Sequence, residues 1–211
     1  FMIIDMLTML PGILIALTFH EYAHGLAAYA MGDDTAKNAG RLTLDPMKHI
    51  DPIGFLMLFI MRFGWAKPVP VDFDNLRPHR LGFFVVAVAG IVVNFILAGI
   101  SLILLRTMFH ASYHIFYEDI LVKGSLGTEI IVKFLIYFFF INILLAIFNL
   151  IPITPLDGGR IIYSFAPKPI RDFYDKIEKY GIIIVFLLLW AGLFSNVFEK
   201  VFDFLIKLLG G

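Results

Sequence analysis

Phe19-His20-Glu21-Tyr22-Ala23-His24-Gly25 sits in a run, residues 2–31, whose only other charged side chain is Asp5. A helix built from such a run is apolar on nearly every side, which is how a membrane span reads. Residues four apart share a helix face, so His20 and His24 can each turn an imidazole nitrogen toward one metal ion. Glu21, one residue past the first histidine, is placed to act as a base there. Ionisable groups in such a segment are costly and mark function by default. The plain alternative is a pair of hydrogen-bonded core histidines in a chance match to a short pattern. The rest of the chain decides between the two.

Composition sets the class. Of 211 residues, 60% are hydrophobic and 16% charged, and phenylalanine occurs 23 times. Mean hydropathy is +0.87, far from that of a soluble domain. Length suits one domain, residues 1–211, and apolar runs of spanning length recur. The expected fold is an all-α polytopic membrane protein. Formal net charge is zero, which gives no basis for binding nucleic acid. Without cysteine there is no disulfide framework and no thiolate metal site, so His, Asp or Glu must hold any metal. The first apolar stretch lacks a basic start and carries the motif itself, so it is not read as a cleavable signal.

About four spanning helices are expected. They cover residues 3–31, 81–105 and 129–151, with a C-terminal span over residues 181–209. Pro11-Gly12 is a possible kink in the first. After it, Asn38 to Leu44 alternates polar and apolar residues, as a hairpin arm would. Residues 53–61 are apolar but too short to cross, which suits a re-entrant or interfacial segment. Trp65-Ala66-Lys67-Pro68-Val69-Pro70 excludes a helix. The loop over residues 106–127 is too short for another globular domain. Glu129 and Lys133 are spaced to pair across one turn.

Of the 17 Lys and Arg residues, 12 fall on the side reached after the first span. That side should be cytoplasmic, with the N-terminus outside. The same count brings His20, His24 and Asp157 to one depth. A catalytic zinc site takes three protein ligands, so a distant third is required. Asp157 is the candidate: it lies where Pro152, Pro155, Gly158 and Gly159 break a helix at membrane depth, and irregular backbone there lines functional cavities. A turn or capping aspartate is the alternative.

These stretches resemble the site-2 proteases, a family of intramembrane zinc metalloproteases. The resemblance rests on Phe19 to Gly25, on Asn149-Leu150-Ile151-Pro152-Ile153-Thr154-Pro155-Leu156-Asp157-Gly158-Gly159-Arg160, and on Ala89-Gly90-Ile91-Val92-Val93-Asn94-Phe95. It extends to residues 45–54 and 65–70. Ile91 departs from the proline often found there, while Asn94 keeps its spacing. The resemblance implies a three-helix catalytic core made of the spans over residues 3–31, 81–105 and 129–151, with 181–209 accessory. It also implies one Zn2+ per chain on His20, His24 and Asp157, with Glu21 activating water. It implies cleavage of transmembrane protein substrates within the bilayer, in a minimal, prokaryotic member of the cell membrane without PDZ or CBS domains.

Asn94 and Asn149 are candidate donors to the transition state or substrate, with interhelical hydrogen bonding as the other reading. Asn142 is read as structural. Main chain at Arg41, Leu42, Thr43 and Leu44 is a candidate edge for an unwound substrate, or else a lipid shield. His49 is a possible further ligand but better placed at the interface, and His79, His110 and His114 read as solvated. Two rival functions are a non-catalytic client-binding protein of the same fold and a zinc transporter. Glu21 speaks against the first, and the absence of repeated halves against the second. Oligomeric state is left open.

Overall fold

Pro11 does not stop the first helix. In the computed structural model, which describes residues 2–61, 64–109, 126–193 and 195–210, α1 runs unbroken through Met2–Ala30. It is followed by α2 (Thr35–Asn38), α3 (Pro46–His49) and α4 (Pro52–Met61). A 3-10 turn, Phe73–Asn75, leads into α5 (His79–Phe109). Then come α6 (Leu126–Asn149), α7 (Asp157–Phe165), α8 (Lys168–Glu178), α9 (Gly181–Trp190) and α10 (Ser195–Gly210). Two of these, over His79–Thr107 and Gly127–Asn149, are long and apolar enough to cross a membrane.

The three long helices pack on one another, and α7 packs on α5. Ala98 and Leu105 of α5, Val132, Leu135 and Phe139 of α6, and Leu205 of α10 make one buried cluster. In lipid the alternative neighbour is equally apolar, so close packing and buried polar contacts hold such helices together. Ser101 Oγ donates to the Leu135 carbonyl at 2.6 Å and Asn94 Nδ2 to Asn142 Oδ1 at 2.8 Å, both between α5 and α6. Each such bond is worth roughly 0.6 kcal/mol in a membrane setting. At the other end, Ala28, Leu76, Phe83 and Val86 pack together, and the Phe83 ring lies between those of Phe73 and Tyr163. Glu129 and Lys133 pair at 2.9 Å on α6.

Two expectations change. The hairpin arm over Asn38 to Leu44 is not formed, and no strand occurs among the described residues. Asp33 explains why: it is fully buried and accepts from the Thr35 N–H and hydroxyl, which starts α2 and takes Asn38 into a helix. Gly40, at φ 64°, then turns the chain, and Arg41 N–H returns to the Ala36 carbonyl at 2.9 Å. The main-chain bridge here joins Ile50 to Ala66 instead. Second, the span over residues 181–209 is two helices rather than one. Gly192, at φ 70°, closes α9, with Leu193 N–H bonded to the Leu188 carbonyl at 3.2 Å. The 10 residues of α9 rise about 15 Å, half of a bilayer core. Residues 53–61 lie in a short regular helix, α4, whose first turn is held by the Asp51 carboxylate accepting from Ile53 and Gly54 N–H. The loop over residues 106–127 falls largely outside the described residues: α5 continues to Phe109 and α6 begins at Leu126. His110 and His114 also lie outside them.

Candidate active site

Two imidazoles one turn apart on α1 are only half a metal site; α5 and α7 supply the rest. His20 Nδ1 lies 2.6 Å from Asn94 Oδ1 on α5. Asn94 Nδ2 faces Asn142 Oδ1 at 2.8 Å and the Ala16 carbonyl at 3.4 Å, so its oxygen is the atom turned to His20 and Nδ1–H donates. His24 Nδ1 lies 2.7 Å from the Val86 carbonyl, which can only accept, so that nitrogen also carries the proton. Both rings therefore present a bare Nε2 lone pair, the form in which histidine binds a metal.

Those nitrogens are 3.0 Å apart, and Asp157 Oδ2 lies 3.2 Å from one and 3.3 Å from the other. Three acceptors so close, with no proton among them, repel one another. Asp157 Oδ2 is buried and has no hydrogen-bond donor among the described residues. A cation at the centre cancels the repulsion and satisfies all three. With metal–ligand distances near 2.0 Å, the edge of a tetrahedral site is about 3.3 Å, close to the three separations observed. His20, His24 and Asp157 form the group able to hold a metal among the described residues. The donor set of two imidazoles and a carboxylate is that of a catalytic zinc site.

Glycines set the approach of each element. A Cβ on Gly90 would lie 2.5 Å from His20 Cε1 and from His24 Nε2, so α5 reaches both rings only because residue 90 has none. A Cβ on Gly158 would meet the Leu150 carbonyl oxygen at 2.3 Å, and one on Gly159 the Thr154 nitrogen at 2.5 Å. These two glycines fold the start of α7 against the 150–154 turn and so deliver Asp157. Tyr174 on α8 braces that turn by donating to the Pro152 carbonyl at 2.9 Å.

Glu21 is not among the three acceptors. Its Oε2 accepts from Val69 N–H at 2.8 Å, and no donor to Oε1 occurs among the described residues. Asn149 spends Nδ2 on the Leu145 carbonyl of its own helix at 3.0 Å, and Asn142 donates to the Phe138 carbonyl at 2.8 Å. Leu42, Thr43 and Leu44 lie in coil beyond Gly40. His49 faces no interface: it is 2% exposed, and its Nε2–H donates to the Thr43 carbonyl at 2.8 Å. His79 is exposed at the start of α5. Val86, Val69 and Tyr174 had no mark in a reading for metal ligands. A signal existed for Val69 alone: between Pro68 and Pro70 it carries the one N–H of that tripeptide.

The model of Peptidase family M50 matches residues 8–192. The chain belongs to peptidase family M50. The chain is similar to "Putative zinc metalloprotease YwhC" of Bacillus subtilis, 40% identical over 88% of this chain and 81% of that protein. "Putative zinc metalloprotease Rip2" of Mycolicibacterium smegmatis is 27% identical over 92% of this chain and 71% of its own length. The Mycobacterium tuberculosis protein of the same name is 24% identical over 95% of this chain and 73% of its own. No solved structure matches. Family membership, the two apolar helices and the His–His–Asp cluster together describe an intramembrane zinc-dependent protease.

Proposed function

We propose that this M50 chain hydrolyses peptide bonds within transmembrane segments of membrane-tethered proteins, with Glu21 as the base and His20, His24 and Asp157 as the ligands of one zinc ion. The observation that carries it is the convergence of three bare acceptors beside a carboxylate held by one oxygen. Zinc, when bound, supplies Lewis acidity toward the scissile carbonyl and a water acidic enough to ionise near neutral pH. Glu21 Oε1 accepts the proton of the attacking water and returns it to the departing amine nitrogen. Asn94 holds the His20 ring in its tautomer and so acts as a positioning residue. Asn149 keeps a second amide hydrogen beyond its bond to Leu145 and is the donor we assign to the developing oxyanion.

An apolar cavity of about 720 Å³ between α1, α4 and α6, lined by Leu17, Thr18, Phe55, Trp65 and Leu145, supports an apolar segment as substrate. A helix must unwind to expose its carbonyls. The N–H groups of Leu42, Thr43 and Leu44 make no hydrogen bond among the described residues, which favours this coil as the edge an extended substrate joins. We further assign α1, α5 and α6 as a three-helix crossing core and α9 with α10 as a broken accessory crossing. The chain is then a multi-pass protein of a prokaryotic cell membrane, with the N-terminus outside and the site toward the cytoplasm.

The test is metal analysis with cleavage of a fluorophore–quencher-labelled apolar transmembrane peptide. Wild-type protein should hold one zinc per chain, lose cleavage on chelation and regain it with zinc. Glu21→Gln should keep the zinc and lose at least about a hundredfold in rate. Loss of zinc in Glu21→Gln would make Glu21 a ligand, and an unchanged rate would end its role as base.

A further inference from the structure

Arg41 is 8% exposed, yet among the described residues it has no carboxylate partner. A buried guanidinium costs several kcal/mol unless compensated, and an apolar residue would serve stability as well. Its Nη2 is spent on one acceptor, the Lys67 carbonyl, at 2.8 Å. Two residues on, Val69 N–H holds Glu21 Oε2. We infer that Arg41 positions the catalytic base: it pins the 66–69 strip and thereby aims Val69 N–H at Glu21. The inference rests on the reading of Glu21 as base given above.

The strip has few other holds. Pro68 and Pro70 have no N–H, so the strip can donate main-chain hydrogen bonds only from Ala66, Lys67 and Val69. Lys67 N–H bonds to the His49 carbonyl at 2.9 Å, and Ala66 bridges Ile50. The His49 ring ties that segment back to the Thr43 carbonyl, two residues from Arg41. Arg41 thus closes a loop of contacts from residues 41–50 onto 66–69. The same loop presses on α1 one turn past Glu21. A Cβ on Gly25 would sit 3.2 Å from Val69 and 3.5 Å from Leu42, so both segments lie directly against that helix. The Val69 N–H holds one of the two Glu21 oxygens and so limits how the carboxylate can turn. Misplacing a reacting group by about 1 Å costs on the order of a hundredfold in rate.

Arg41→Met keeps the stem and removes the donor, while Arg41→Lys keeps one donor for the one bond that matters. Each is measured in detergent-solubilised, zinc-loaded full-length protein with the labelled transmembrane peptide, and by deuterium exchange of the peptide spanning residues 64–71. Arg41→Met should lower kcat at least tenfold with KM and zinc content unchanged, and should speed exchange in 64–71 but not in α1. Arg41→Lys should restore most of both. Four results overturn the inference: unchanged exchange, faster exchange with kcat intact, a rise in KM alone, or loss of zinc. If Glu21→Gln cleaves at the wild-type rate, the base reading itself falls and the inference with it, an outcome distinct from those four.

Discussion

Gly90 shows how strictly single residues are specified at the metal site. Alanine is a better helix former than glycine by about 1 kcal/mol, so Gly90→Ala should leave α5 intact or firmer. Its methyl, however, would stand 2.5 Å from both imidazoles. The rings must move, and a three-ligand cluster with separations of 3.0 to 3.3 Å cannot keep its shape. We expect Gly90→Ala to purify as a folded protein with less than one zinc per chain and little cleavage. Metal analysis beside a thermal melt checks this, and a zinc-loaded variant with wild-type rate would refute the close-approach argument. The asparagine pair has the same character. Asn94 is 0% exposed, and every bond it makes fixes His20 or joins α5 to α1 and α6. In the proposed site those bonds suit Asn94 to orienting His20 rather than to meeting the oxyanion.

Between α1 and α5 the element of interest is the loop folded over Asp33. Its buried carboxylate accepts from the Thr35 N–H and hydroxyl, Asp72 N–H and Asn75 Nδ2. Burial alone would raise the carboxyl's pKa, but these four donors outweigh it and hold it below the ordinary value. The sign follows. A depressed folded pKa contributes stability above the unfolded value near 3.9, and that contribution is lost as pH falls through the folded one. Asp33→Asn should thus destabilise by about 1–3 kcal/mol at neutral pH. The gap between wild-type and variant melting temperatures should close in acid, below about pH 4. A gap independent of pH would remove the carboxylate from the account. The coil beyond Gly40 offers a second test at this scale. Leu44 is 48% exposed, so its side chain supports little packing. If a substrate pairs with this main chain, Leu44→Pro should cut turnover strongly and Leu44→Ala barely, both with zinc bound. Equal rates would leave the segment as a shield.

For the whole molecule the open quantity is orientation. The chain has no cysteine, so one introduced thiol reports one position. Lys168 is exposed at the start of α8, after the turn that delivers Asp157. Lys168→Cys in intact cells should resist a membrane-impermeant thiol reagent and react in inverted vesicles, because 12 of the 17 basic residues lie on its side. Labelling of intact cells would invert the topology. Gly158, beside Asp157, cannot carry such a probe, since any Cβ there meets the Leu150 carbonyl.

The His20–His24–Asp157 cluster was legible as a candidate metal site because metal chemistry restricts residue type: two histidines four apart on a helix, and an aspartate where prolines and glycines break another. Membrane class was legible because hydropathy is additive along the chain and needs no partner to be read. The rest depends on distances between segments far apart in sequence, which no local pattern encodes. That Val86 offers a carbonyl to His24, that Val69 offers its N–H to Glu21, and that Arg41 reaches Lys67 are results of packing α1 against α5 and the 65–70 segment. The alternation over Asn38 to Leu44 suggested a strand, but a strand needs a neighbour to pair with. Asp33 and Gly40 turned the chain into α2 and coil before one could form, and only the tertiary structure decides that.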